Sequence, residues 1–165
     1  MNLRTIKVLG IALFLVTVAS VGVALADSPH FIKGPTASLS ATGAYTVTFK
    51  EAGLGNSPVT YTLTASTENF TFQCYTKSGN TPQGSPNSIS FSHEFTSTTI
   101  TPRNGQISGS LSLVPQQGTA SCQGGGLDLR LIAVDYEGVT FADTTNNIQV
   151  EMPNIHASGL NIDID

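Results

Sequence analysis

Hydrophobic and polar residues alternate along much of the chain. Tyr45, Val47 and Phe49 alternate with threonines, and the same period of two returns over residues 59–65. A period of two is typical of a β-strand with one buried and one solvated face, because successive side chains point to opposite sides of a sheet. No window shows a convincing helical period. The pattern therefore predicts an all-β protein.

Further segments continue the alternation, and a weaker strand is predicted over residues 37–41. Their apolar positions are Phe70, Phe72 and Cys74; Ile89, Phe91, His93 and Phe95; Ile107, Leu111 and Leu113; Leu127, Leu129, Leu131 and Ala133; Val139 and Phe141; and Ile148, Val150 and Met152. The turns between them are too short for helical crossovers, so the strands should pair antiparallel. We expect an antiparallel two-sheet β-sandwich, Ig-like, with about eight or nine short strands. The chain lacks Trp, and Ala120 stands where an antibody domain has Tyr, so the antibody class is excluded.

The first 26 residues differ from the rest. Arg4 and Lys7 precede an uncharged apolar run, and Ala24-Leu25-Ala26 has the small residues that signal peptidase needs. The sequence predicts a secretory signal peptide over residues 1–26 and a single domain over residues 27–165, secreted to the extracellular space or the cell surface. The alternative is an uncleaved anchor, because a membrane-spanning helix needs about 20 apolar residues. The polar residues directly after Ala26 favour cleavage.

Charge and cysteine content narrow the environment. The whole chain has a net charge of −4, and residues 27–165 keep five basic and eleven acidic residues, a net charge of −6. An acidic chain without a basic cluster predicts no nucleic-acid partner and no binding to anionic membranes. Cys74 and Cys122 are the two cysteines, and an even pair in an exported chain predicts one disulfide. A free-thiol or metal pair is the alternative, although no further ligand has metal-binding spacing.

The carboxylates of one segment are candidates for a calcium site. Asp135 and Glu137 share parity, and Asp143 follows them. Calcium needs several oxygens that converge on one point. The competing interpretation, which we favour, places Asp135 and Glu137 on the wet face of a strand near a turn at Gly138. No other cofactor is predicted.

Three further positions are candidates for surface recognition. Tyr75 has the opposite parity from the apolar face of its strand, so it should be the most exposed ring and a platform for a glycan. Lys50 and Glu51 flank the turn with Gly53 and Gly55, where they could contact a partner. Asn69 begins the one N-glycosylation sequon, at the start of a predicted strand.

Several motifs resemble those of a group of small secreted microbial proteins with no assigned activity. They are the turn at residues 49–55, FKEAGLG; the lysine–asparagine stretch at 77–80; and the NGQ start of a later strand at 104–106. The resemblance covers residues 37–146. It implies a β-sandwich with one disulfide and no catalytic residues. The region of the second cysteine, TASCQGGGLDL, departs from the group's pattern.

These observations lead to three hypotheses about function. The first is a non-enzymatic extracellular module, structural or adhesive, because no coherent catalytic set accompanies the three histidines and G-x-S-x-G is absent. The second is a glycan- or cell-wall-binding module that uses Tyr75. The third, less favoured, is a small secreted hydrolase.

Overall fold

The computed structural model describes residues 28–164, and every regular element in that range is a β-strand. The strands are β1 (His30–Leu39), β2 (Tyr45–Ala52), β3 (Val59–Thr76), β4 (Pro82–Ile100), β5 (Ile107–Leu113), β6 (Leu127–Glu137), β7 (Thr140–Asp143), β8 (Ile148–Glu151) and β9 (Ile155–Asp163). All strand pairs are antiparallel. The predicted all-β sandwich of about eight or nine strands is confirmed. The predicted signal peptide lies outside the described residues.

The strands form two sheets. The smaller sheet has the order β1–β2–β5, and the larger has the order β8–β7–β3–β6–β9, with β4 on the other edge of β3. Strand β7 pairs with the first part of β3 and β6 pairs with the rest. Strands β6 and β7 therefore lie end to end along one edge of β3. Strand β9 pairs with β6, and β8 pairs with β7.

The two sheets enclose one hydrophobic core. Its aromatic side chains interlock between the sheets: the ring centroids of Phe49 and Tyr61 are 4.4 Å apart, and those of Tyr45 and Tyr136 are 5.3 Å apart. The buried hydroxyls are satisfied, because Tyr45 donates to the carbonyl of Pro153 and Tyr136 donates to that of Gly43.

The inward-facing positions of the larger sheet change parity along one line, which we call the crease. Buried positions of β3 are odd-numbered up to Ala65 and even-numbered from Glu68 to Phe72. At this level β4 contains His93 with φ of 57°, and the β6–β7 arm contains Gly138 with φ of 58°. A left-handed residue within a strand locally interrupts the regular alternation of side chains. The crease therefore brings a carboxylate, Glu68, to a position that continued alternation would have made polar and outward.

The crease corrects two sequence-based predictions. The prediction that residues 89, 91, 93 and 95 all face inward is wrong beyond Phe91. His93 and Phe95 are exposed, and Glu94 is partly buried. The two strands predicted over residues 59–66 and 70–74 are one continuous strand, β3, which pairs with β4 along nearly its whole length. Asn69 therefore lies within a strand rather than at its start. Within residues 28–164 no helix is long and apolar enough to cross a membrane.

Candidate functional site

The predicted disulfide is present. Cys74, near the end of β3, is bonded to Cys122 with their Cα atoms 5.7 Å apart. Cys122 lies in the irregular segment 114–126, between β5 and β6. The bond therefore ties that segment to the central strand of the larger sheet.

Tyr75 is not the exposed ring that its parity predicts. The side chain is half-buried, and the guanidinium carbon of Arg130 lies 4.9 Å from its ring centroid. Arg130 Nη2 also lies 3.8 Å from Asp128 Oδ2. Arg130 thus covers one face of the ring, and that face is not available as a platform for a glycan.

Lys50 and Glu51 have opposite environments. Lys50 is exposed, whereas Glu51 is fully buried and cannot contact a partner at the surface. The Tyr61 hydroxyl donates to Glu51 Oε2 at 2.7 Å. Burial raises the pKa of Glu51, the hydrogen bond from Tyr61 opposes this, and the neighbouring Asp143 raises the pKa further. Glu51 is part of a closed acidic cluster inside the core.

The three calcium candidates do not converge. Asp143 is fully buried beside Glu51, and its carboxylate accepts hydrogen bonds from the backbone of Thr145 and Asn146 at 2.9 and 3.0 Å. Asp135 and Glu137 lie in β6, on the face that is directed toward solvent. Within residues 28–164 no group of three His, Cys, Asp or Glu side chains is arranged to hold a metal ion. The structure therefore supports the wet-face interpretation of Asp135 and Glu137.

Asn69 lies in β3 between β4 and β6, and its side-chain oxygen accepts a hydrogen bond from the Ser90 hydroxyl at 2.5 Å. The residue is half-buried. Glycosylation of this sequon remains a prediction.

A different site lies where the two sheets separate. Strands β4 and β5 follow each other in the chain but belong to different sheets, and a cavity of about 240 Å³ opens between them. We call it the seam pocket. Its walls are Glu94, Phe95 and Thr96 of β4 and residues 112–116, and Glu68 of β3 also lines it. Phe95 is 68% exposed and Val114 is 61% exposed, the two largest exposures among the bulky apolar side chains described.

Glu68 is the unusual group of the seam pocket. It is 1% exposed, and its Oε1 is buried with no hydrogen-bond partner. Burial, and then the charge of Glu94, raise the pKa of Glu68 to about 7. Tyr136 is opposite Glu68 across the β3–β6 pair, but its hydroxyl donates to the carbonyl of Gly43 instead. Glu94 accepts a hydrogen bond from Gln116 at 3.0 Å. The pocket thus joins an unsatisfied carboxylate to an exposed aromatic ring.

Sequence reasoning missed this site for one reason. The alternation of residues 89–95 placed Phe95 inside, and only the left-handed conformation of His93 puts it outside. Positive φ is uncommon for any residue other than glycine, so the sequence offers no strong signal for the change.

The opposite end of the seam is basic. A cavity of about 370 Å³ is lined by Lys50, Arg103, Ile100 and Ile107, among others. Lys33 and Lys50 are direct neighbours across the β1–β2 pair. The ion pairs found in the described part of the chain involve Lys77, Arg130 and His156 instead. The seam therefore has an acidic end and a basic end.

Comparison with known proteins gives no match to a family model, to a curated protein or to a solved structure.

Proposed function

We propose that the protein is a secreted, non-enzymatic interaction module that binds an extended segment of an extracellular protein along the outer edge of β4. The observation that carries this proposal is the composition of that edge between Glu94 and Ile100, EFTSTTI. It holds one charged residue, no proline and several strong strand formers, and no other described strand pairs with it.

Edge strands of soluble proteins are usually protected. Lysines, prolines, bulges or covering segments prevent a strand from another chain from pairing with the free backbone groups. Residues 94–100 pair with β3 in a regular register, without a bulge, and lack a lysine. An edge without a lysine, a proline or a bulge, beside an exposed Phe95, is what a domain needs if it binds by adding a strand to its sheet.

Export supports the extracellular setting. The predicted signal peptide over residues 1–26 directs the chain out of the cytosol, and the Cys74–Cys122 bond is stable in an oxidising compartment. An immunoglobulin-like arrangement is part of the same proposal, because domains of that architecture commonly act in extracellular adhesion.

The test is selection of displayed random decapeptides on the immobilised, oxidised protein, followed by amide hydrogen exchange with the selected peptides. We expect protection of backbone amides within residues 94–100. Ser97→Lys places a cation on the edge and should abolish binding, whereas Gln123→Lys, in the exposed irregular segment, should leave it unchanged. Protection elsewhere, or equal binding by Ser97→Lys, would overturn the proposal.

A glycan-binding module is the second candidate, and the exposure of Phe95 favours it. The ring stands beside two carboxylates that could accept hydrogen bonds from sugar hydroxyls. A pull-down against cell-wall polysaccharides tests this candidate. Retention that Phe95→Ala removes and Tyr75→Ala keeps would support it, and absence of retention on every polysaccharide would exclude it for the materials used.

A further inference from the structure

The position of Glu68 is fixed by its strand. Strand β3 is the central strand of the larger sheet, held by β4 on one edge and by β6 and β7 on the other. Neither of those ladders can shift easily by one residue, because a slip would turn the core residues of β3 outward. The Glu68 carboxylate is therefore held in the pocket wall rather than free to swing into water.

Among residues 28–164, no cationic side chain lines the pocket beside this carboxylate. A buried polar atom without a partner destabilises a fold by about 1–3 kcal/mol, and more when the group is charged. The seam pocket contains a second carboxylate, Glu94, and none of the described lysines or arginines lines it. The pocket therefore contains two carboxylates, Glu68 and Glu94, and one unpartnered carboxylate oxygen. A bound cation would pair with both.

The chemistry of the walls restricts which cation fits. Calcium needs about six to eight oxygens, and the described residues contain no set of three His, Cys, Asp or Glu side chains at one place. A primary ammonium needs only a few acceptors, and the two carboxylates can provide them. Phe95 and Val114, at the mouth, provide apolar surface for methylene groups and an aromatic face for the cation.

We propose that the seam pocket binds the ammonium group of a lysine side chain that belongs to the segment docked on β4. This inference rests on the proposed function, because the pocket lies beside the β4 edge and a strand added there would carry side chains past its mouth. The ammonium forms charge-assisted hydrogen bonds with Glu68 and Glu94, and its methylene stem packs against Phe95 and Val114. The pocket then acts as the specificity determinant of strand docking.

The first test separates the pocket from the edge. The full exported chain, purified with its disulfide intact, is titrated with Nα-acetyl-lysine methylamide while backbone amide NMR shifts are followed. We expect shifts around residues 68, 94–96 and 112–116, and none with the neutral norleucine analogue. Shifts confined to other residues, or equal shifts with norleucine, would overturn the inference. Selective binding of glucosamine instead would also overturn it and would favour the glycan candidate.

Variants define the contribution of each carboxylate. Glu68→Gln should weaken binding of the lysine probe by about tenfold or more, because it replaces a charge-assisted contact with a neutral one. Glu94→Gln should weaken it by a smaller factor. Glu137→Gln removes an exposed carboxylate outside the pocket and should leave binding unchanged. Undiminished binding by a folded Glu68→Gln variant would be decisive against the inference.

A third test uses the decapeptides selected on the β4 edge. Replacement of their lysine by norleucine should weaken docking by the same factor as Glu68→Gln. Unchanged docking would overturn the lysine inference and leave the proposed function intact. Binding of the lysine probe in the pocket without any peptide protection of β4 would have the opposite meaning: the pocket inference would stand, and strand docking would fall.

Discussion

The core contains two fully buried glutamates in contrasting settings. Glu51 lies in a closed cluster, where Tyr61 donates to it and Asp143 lies beside it. Glu68 is equally buried, but the tyrosine opposite it, Tyr136, donates its hydroxyl to Gly43, and Glu68 lines a cavity that opens to the surface. The comparison shows that burial alone does not define a site. Each glutamate has one buried Oε1 atom without a hydrogen-bond partner. What distinguishes Glu68 is that it lines a cavity open to the surface, whereas Glu51 is bonded by Tyr61 inside the core.

The pH dependence of folding should show the largest effect. Burial raises the pKa of Glu68 from 4.5 to about 7, and at 1.36 kcal/mol per pKa unit this corresponds to roughly 3 kcal/mol. The folded state binds the proton more tightly than the unfolded state. The contribution of Glu68 to stability is therefore fully present below pH 4.5 and is lost as the pH rises through about 7, and Glu51 acts in the same direction. Denaturant unfolding at pH 4.5, 6 and 8 measures this dependence of the free energy of unfolding on pH.

Glu68→Gln should flatten this pH profile and make the protein more stable at pH 8. Glu51→Gln is the matched control, and its gain should be smaller because it also loses the charge-assisted bond from Tyr61. Equal profiles for the two variants, or a wild-type stability that increases from pH 4.5 to 8, would contradict the contrast between the two glutamates.

Removal of the donor to Glu51 should have the next largest effect. Tyr61→Phe leaves a buried carboxylate oxygen without its hydrogen bond, so we expect about 1.5–3 kcal/mol of destabilisation at pH 8. Tyr45→Phe is the control, because that hydroxyl donates to a neutral carbonyl and its loss should cost about 1 kcal/mol. If both variants lose the same stability, the Glu51 cluster is not held by a charge-assisted bond.

The crease should show the smallest effect. His93 adopts φ of 57°, which is unfavourable for a residue with a Cβ atom, so His93→Gly should stabilise the fold by a few tenths to about 1 kcal/mol. Ser92→Gly, at an exposed neighbouring position, should instead destabilise it by about 0.5–1 kcal/mol. Thermal unfolding of the two variants separates these signs, and destabilisation by His93→Gly would disprove strain at the crease.

The sequence predicted most of the fold but little of the site. Most strand positions and the disulfide follow from local alternation and from the even cysteine count, because each depends on one strand or one pair at a time. Strand β9 and the first half of β1 were not predicted. Alternation also placed Tyr45 and Tyr61 correctly in the core. These features need no knowledge of which strands are neighbours.

The site depends on knowledge that alternation does not contain. Glu51 and Asp143 are brought together only by the packing of the two sheets, and Tyr75 is covered by Arg130 from a strand more than 50 positions later. Glu68 and Phe95 change faces because of backbone conformations at the crease. The alternation along the sequence therefore could not locate Glu68, the buried carboxylate, or Phe95, the exposed ring.

The disulfide has a consequence for the order in which the seam pocket is assembled. Segment 114–126 connects β5 to β6 and supplies Val114, Pro115 and Gln116 to one wall of the seam pocket. The Cys74–Cys122 bond attaches this segment covalently to β3. In a newly made chain the thiols are reduced, and that wall is held only by its ends and by packing. We expect the wall of the seam pocket to be fixed only once the disulfide has formed, so that oxidation acts as a maturation step for the proposed recognition surface.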